Sequence, residues 1–309
     1  MTAPTAPDGT PASRLCFGAM QFGGTADEAA SAALFDAARA AGVTWFDTAH
    51  VYTGGASERI LGRLAGAERD ALVIATKAPY DAPPTAARIR AAADESRARL
   101  GTDVIDLLYL HRWSDAVELE ESIGALADLR ERGVVRAIGV SNFAAWQVMK
   151  AQAVARALGT RIDAIQPMLN LVKRQAEVEI LPMAADQGIA VAAYSPLGGG
   201  LLTGKYARGG TGRLTEVEMY RRRYDDDRIR AGAAGLADLA AETGHDPATL
   251  AVAWVLAKPG VHPIVSARSA AQLAPSLAAA DLVLDGNLAA RLDALMPAPP
   301  PATDRTEEG

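Results

Sequence analysis

The chain has a single cysteine, Cys16, in 309 residues, which excludes an intramolecular disulfide and leaves no metal-binding spacing. Cys16 lies in the apolar run Leu15-Cys16-Phe17, where a buried, inert thiol is expected rather than a nucleophile. Basic charge is also short, with 31 Lys and Arg against 37 Asp and Glu, a net −6. A nucleic-acid partner would need a clustered basic face, and none is expected here. The one basic run, Arg221-Arg222-Arg223, is answered by Asp225-Asp226-Asp227 and reads as a solvated loop. No apolar run approaches the roughly 18 residues of a membrane helix. The N-terminus shows neither the basic nor the apolar region of a signal peptide. A cytoplasmic protein without a membrane partner is therefore expected, a monomer or weak homo-oligomer. Aromatics are only 5% of residues while hydrophobic residues are 50%, so Ala, Val, Leu and Ile must fill one large core.

What is present is an alternation. Short β-rich runs at 15–20, 44–48, 72–77, 105–111, 137–141, 164–166, 190–195 and 261–265 are interleaved with helical patterns at 27–41, 85–100, 119–132, 144–158, 177–187 and 249–257. Eight strands followed mostly by helices imply parallel strands joined by right-handed crossovers, and eight is a number that closes a barrel. Gly42, Gly133 and Gly188 each follow a helical pattern and precede a strand, the place for a left-handed helix cap. A doubly wound dinucleotide fold would need Gly-x-Gly-x-x-Gly after the first strand. Gly18, Gly23 and Gly24 do not make it, and Gly198-Gly199-Gly200 comes too late. The expected fold is α/β, a (β/α)8 TIM barrel in a single domain at 13–297, with disordered tails at 1–12 and 298–309. An irregular stretch at about 207–228 interrupts the repeat, and long loops in compact domains are functional or disordered.

Four strands run out into polar groups: Asp47 and, five residues on, Tyr52; then Lys77, His111 and Asn142. Polar residues at the carboxyl ends of several barrel strands read as catalytic. An Asp, a Tyr, a Lys and a His drawn from successive strands are the parts needed to reduce a carbonyl with a nicotinamide. A free tyrosine holds its proton to about pH 10, and a neighbouring ammonium stabilises the phenolate formed when that proton leaves. Tyr52 is thus the expected proton donor, Lys77 its partner, and Asp47 the counter-charge that a buried lysine requires. His111 would donate a hydrogen bond to the substrate oxygen. Singly, each has a plain structural role open to it, as cap, loop packing or strand end. Their common place at one end of successive βα units favours the joint reading.

The chain resembles the aldo-keto reductase superfamily from about Leu15 to Pro297. The resemblance is carried by Gly42-Val43-Thr44-Trp45-Phe46-Asp47-Thr48-Ala49-His50-Val51-Tyr52 with Gly55-Ala56-Ser57-Glu58, by Ala75-Thr76-Lys77, and by Asp106-Leu107-Leu108-Tyr109-Leu110-His111-Arg112. Further matches are Gly133-Val134-Val135-Arg136-Ala137-Ile138-Gly139-Val140-Ser141-Asn142-Phe143, Tyr194-Ser195-Pro196-Leu197 and Gly200-Leu201-Leu202-Thr203-Gly204-Lys205-Tyr206. The last looks most like the bacterial members related to potassium-channel β-subunits.

The resemblance implies Tyr52 as proton donor, with Asp47, Lys77 and His111, and an NADP(H) cofactor, NAD(H) remaining possible. It also implies nicotinamide contacts from Ser141, Asn142 and Gln166, with Tyr194 stacked under the ring. Gly18, Ala19 and Met20 would line that side, and Ser195, Leu197, Gly199 and Lys205 would hold the pyrophosphate. Ser266, Arg268 and Gln272 would meet the adenosine ribose and a 2′-phosphate, for which a guanidinium fork is well suited. The family's Glu-Asn pair near the adenine is replaced by Pro275 and Ser276, and Leu169 stands where relatives often have Tyr.

The implied activity is reduction of an aldehyde or ketone, a small-molecule carbonyl partner. Two alternatives stay open: an NAD(P)-dependent dehydrogenase of a sugar or cyclic hemiacetal, and a cofactor-binding sensor or auxiliary subunit. His50, Tyr80 and Trp113 lie near the four polar residues in sequence and are the candidates for substrate contact.

Overall fold

The computed structural model describes residues 3–206 and 209–303. Eight parallel strands close into a barrel: β1 (Cys16–Gly18), β2 (Trp45–Asp47), β3 (Val73–Lys77), β4 (Ile105–Leu110), β5 (Val135–Ser141), β6 (Ala164–Gln166), β7 (Ala190–Ala193) and β8 (Val261–Val265). β1 pairs with β8, so the sheet has no open edge. Helices α1 (Glu28–Ala40), α2 (Ala56–Ala65), α3 (Ala86–Leu100), α4 (Leu119–Glu131), α5 (Ala145–Ala157) and α6 (Ile180–Gln187) follow β1 to β6 in turn. Between β7 and β8 come α7 (Arg213–Glu216), α8 (Glu218–Tyr224), α9 (Asp227–Thr243) and α10 (Pro247–Leu256), and after β8 come α11 (Ala270–Ala278) and α12 (Gly286–Asp293).

Local chemistry starts and stops these helices. Asp27, Asp226, Asp246, Ser269 and Asp285 accept backbone N–H groups at the starts of α1, α9, α10, α11 and α12, satisfying donors that the first turn leaves free. Gly42, Gly133 and Gly188 take φ of 75°, 71° and 64° just beyond α1, α4 and α6, as the sequence suggests.

The strands alternate between two cores. Cys16, Trp45, Val73, Ala75, Leu107, Tyr109, Ala164, Ala190 and Ala192 pack together inside the barrel. Their neighbours Phe17, Phe46, Ile74, Leu108, Ile138, Val140, Ile165 and Val191 face the helices. The register Lys77↔Tyr109↔Gly139↔Ala164 runs round the wall. Gly139 is needed there, because a Cβ would sit 2.6 Å from the Tyr109 ring. The Cys16 thiol is fully buried, and burial pushes its pKa well above the ordinary value.

Three expectations change. Residues 4–12 are not a loose tail. Thr5 bridges Pro11, Ala6 N donates to Thr10 O at 2.8 Å, and Ala6 is fully buried against the interior cluster of Cys16 and Trp45. A small hairpin therefore covers the bottom of the barrel, because the apolar floor would otherwise meet water. Residues 298–303 run on irregularly, and 1–2 and 304–309 of the expected tails lie outside the described residues. The stretch at 207–228 carries α7, α8 and the start of α9, its residues 207–208 again outside the description. Within α8, Arg221 and Arg222 pair with Glu218, while Asp225 and Asp227 pair with Arg230. The Arg and Asp runs thus do not neutralise one another as a solvated loop would. Among the described residues no helix is long and apolar enough to cross a membrane, and no group of His, Cys, Asp and Glu could hold a metal ion.

Candidate active site

Side-chain parity places the polar residues. Asp47 lies two residues beyond Trp45, Lys77 two beyond Ala75, and His111 two beyond Tyr109, all on the interior face and all at the carboxyl end. Tyr52 is delivered by the turn after β2. That turn contains Thr53 at φ 49°, with Gly54 and Gly55 also at positive φ. It is tied down by Thr53 Oγ1 donating to Phe22 O at 2.8 Å and by Ser57 Oγ donating to Ala19 O at 2.8 Å. The fully buried Glu58 accepts from Thr76 Oγ1 at 2.7 Å and faces Arg99 Nη1 at 3.3 Å. Arg99 in turn donates to the backbone oxygen of His50 at 2.9 Å.

The four polar groups meet. Lys77 Nζ donates to Asp47 Oδ1 at 2.5 Å, to Thr48 O at 2.7 Å and to Tyr52 Oη at 3.5 Å. The second Asp47 oxygen accepts from Gln166 Nε2 at 2.8 Å. The Tyr52 and His111 rings stand edge to face with centroids 5.9 Å apart. Burial pushes the Lys77 ammonium down, but Asp47 and Tyr52 outweigh it and hold its pKa above the ordinary lysine value. Burial raises the Asp47 carboxyl against the pull of Lys77, and it raises the Tyr52 phenol, which Lys77 partly offsets. His111 is driven down to about 3 by burial first, then by Lys77 and Arg112, so its imidazole is neutral near pH 7. Its Nδ1 is buried without a partner while the ring lines the cavity, leaving Nε2 as the nitrogen available there.

Asp47, Tyr52 and His111 line a cavity of about 520 Å³. Lys77, 1% exposed, lies beneath them. The cavity continues past Ser141, Asn142, Gln166 and Tyr194. There Asn142 sits at φ 57°, donates to His111 O at 3.0 Å and accepts from Tyr194 Oη at 2.7 Å. Beyond β7 the wall is Ser195, Leu197 and Gly199. Ser195 takes φ 59°, and Gly198, Gly199 and Gly200 take 57°, 67° and 95°, a turn that side chains resist. Lys205, Ser266, Arg268 and Gln272 line the far end.

The chain matches the aldo/keto reductase family over residues 14–297. It belongs to that family. It is 35% identical to an uncharacterized oxidoreductase, YrpG, of Bacillus subtilis, with 93% of each chain covered. It is 32% identical to a probable voltage-gated potassium channel subunit beta of Oryza sativa, over 94% of this chain and 95% of the other. A third relative, aflatoxin B1 aldehyde reductase member 2 of Rattus norvegicus, is 36% identical over 66% of this chain and 58% of its own.

Within this aldo/keto reductase, three residues singled out from the sequence, besides the buried Lys77, do not reach the cavity. Ala19 is fully buried behind it, its carbonyl bonded to Ser57. His50 turns outward to Glu95 at 2.8 Å. Trp113 stacks on Phe143 and Trp146 and donates to Asp115 at 2.7 Å. Nearness in sequence to Tyr52 and His111 says nothing of which way a loop side chain points. Gly18, Met20 and Tyr80 do line the cavity. Arg112, Arg213, Met219, Tyr220 and Arg223, none of which the sequence singles out, line it too. Four of them come from α7, α8 and their first residues, whose short helices leave no clear period to read.

Proposed function

We propose that this protein is an NADP(H)-dependent oxidoreductase that reduces an aldehyde or ketone to the alcohol, with Tyr52 as proton donor. The observation that carries the reading is the buried Lys77 ammonium held between Asp47 and the Tyr52 hydroxyl, beside a neutral His111 open to the same cavity.

The residues present fit a phosphorylated dinucleotide. Gly199 and Gly200 bring backbone without side chains to the cavity wall, the polar atom of Ser266 is buried without a partner, and Lys205, Arg213 and Arg268 supply positive charge along the same cavity. When bound, the nicotinamide supplies a hydride to the carbonyl carbon. The protein's own residues handle the oxygen. His111, as a neutral imidazole, donates a hydrogen bond from Nε2 and orients it. Tyr52 gives up its proton to that oxygen, and the negative charge left on the phenol faces Lys77. Asp47 holds Lys77 in place and keeps it charged before the proton moves. A positioned acid of this kind contributes about 10²–10⁴ in rate. Arg268 favours a 2′-phosphate, and no Asp or Glu lies between Ser266 and Ser276 to favour a ribose hydroxyl instead.

The same four residues serve the reverse direction equally, so a dehydrogenase of a sugar or cyclic hemiacetal uses identical machinery. The complete set of four favours turnover over a sensor role, although one relative is named as a channel subunit. We place the protein in the cytoplasm, acting on a small-molecule carbonyl. Tyr52→Phe tests the reading. Turnover of an aldehyde panel should fall by about 10² or more, while NADPH affinity from fluorescence titration stays near wild type. Near-normal kcat, with chemistry rate-limiting, would remove Tyr52 as the donor.

A further inference from the structure

Five cationic side chains line the cavity, two more than the three placed beside a dinucleotide's phosphates. Lys205, Arg213 and Arg268 follow the wall beyond Ser195 and the glycine turn, the phosphate end. Arg112 and Arg223 line the same cavity, Arg112 beside His111 and Arg223 on the Tyr220 ring that Arg213 also faces. Arg112 directly follows His111. Its guanidinium lies 5.0 Å over the Tyr80 ring, whose centroid is 4.7 Å from His111. Arg223 lies 5.3 Å over the ring of Tyr220, another residue of the cavity wall, and contacts Met219 Sδ at 3.7 Å.

Neither guanidinium has a carboxylate partner among the described residues. The contrast is sharpest within α8, where Arg221 and Arg222 both pair with Glu218 and Arg223 does not. Arg268 likewise has Glu216, at 3.4 Å. Among the described residues Asp47 is the one carboxylate lining the cavity, and it is committed to Lys77 and Gln166. In a chain of net charge −6 with ion pairs across its surface, these two guanidiniums stacked on aromatic rings of the cavity wall have no carboxylate partner among the described residues. Stacking fixes each guanidinium plane while leaving its N–H edge free for an anion.

Resting on the reductase reading, we infer that the preferred carbonyl substrate bears an anionic group, a carboxylate or a phosphate, which Arg112 and Arg223 hold at the mouth of the cavity while the carbonyl reaches Tyr52 and His111. Tyr80, Met219 and Tyr220 add aromatic and apolar surface to the same cavity wall.

The test compares kcat/KM for 4-carboxybenzaldehyde, 4-formylphenyl phosphate and the neutral methyl 4-formylbenzoate. Wild type should favour at least one anionic aldehyde by roughly tenfold, mainly through KM, the worth of a charge-assisted hydrogen bond at an open site. That preference should shrink as salt is raised. In Arg112→Gln/Arg223→Gln the anionic and neutral substrates should become nearly equal. The better of the carboxylate and phosphate arms identifies the group. Equal use of anionic and neutral aldehydes by wild type, or a preference kept in the double variant, would overturn the inference. Titration calorimetry with benzoate and with benzyl alcohol separates the two readings. Benzoate binding that the double variant loses supports the anion site even if no aldehyde is turned over, an outcome that counts against the reductase reading alone. Benzoate binding no tighter than benzyl alcohol counts against the anion site.

Discussion

The two ends of the barrel treat charge in opposite ways. At the amino-terminal end, charges are matched and tied to backbone. Asp106 accepts from Ile74 N at 2.8 Å and faces Arg69 at 2.8 Å and Arg136 at 3.4 Å. Asp163 accepts from Ile138 N at 3.0 Å and faces Arg130 at 2.7 Å. At the carboxyl end the one deeply buried pair, Lys77 and Asp47, has a phenol at its edge, and Arg112 and Arg223 stand without carboxylates among the described residues. The backbone divides similarly. The positive-φ residues other than glycine among those described, Thr53, Asn142 and Ser195, all follow the carboxyl ends of β2, β5 and β7. Such positions cost about 1–3 kcal/mol each. One end holds the barrel together, and the other keeps charge and strain available for chemistry.

That contrast can be broken from either side. The largest change in stability should come from the matched end. Asp106→Ala leaves Arg69 and Arg136 facing an empty site and should cost about 3 kcal/mol, the low end for breaking a buried pair because both arginines are partly exposed. Urea unfolding should show that loss while kcat of the folded enzyme stays near wild type. A fall in kcat with stability intact would assign Asp106 to the wrong group. At the other end, Arg268→Ala should leave stability alone and narrow the gap between NADPH and NADH affinity by about 1.5–3 kcal/mol. Equal affinity of wild type for the two cofactors would contradict the 2′-phosphate role.

The His111 imidazole gives a third and smaller handle. Its folded pKa is lowered to about 3 while an unfolded histidine titrates near the ordinary 6.5. Between those values the unfolded chain binds the extra proton, so this residue subtracts stability as pH falls from about 6.5 toward 3 and nothing above it. The penalty reaches about 2 kcal/mol by pH 5. His111→Asn should therefore lose less stability than wild type between pH 7 and pH 5. Parallel stability curves for the two proteins would place a charged imidazole in the folded site.

The matched end and the polar end were not equally legible. Strand parity carries Asp47, Lys77 and His111 to one interior face, and their polarity at the ends of apolar runs gives them away. The helix-capping glycines are equally plain, because a positive φ leaves few other choices. The hairpin at 4–12 looks like a tail in sequence, since Pro, Ala and Thr carry no period and only the burial of Ala6 in the cluster with Trp45 reveals its role. For His50 and Trp113 the sequence offers only adjacency, and the loops turn them out to Glu95 and to Phe143. Arg223 was hidden in a run of three arginines, where the sequence does not show which one lacks a partner. Side-chain direction in loops is set by tertiary contacts, and no local pattern encodes it.

The central claim is that Asp47, Lys77 and Tyr52 act as one unit that delivers a proton. A double-mutant cycle measures this directly, with kcat of Tyr52→Phe, Lys77→Met and the combined variant followed on one aldehyde under conditions where chemistry limits the rate. The account predicts that each single variant loses most of the activity and that the combination is little worse than either, as groups acting together are strongly non-additive. Losses that multiply fully would show that Lys77 does not work through Tyr52, and the proton path drawn from the 3.5 Å contact would be wrong.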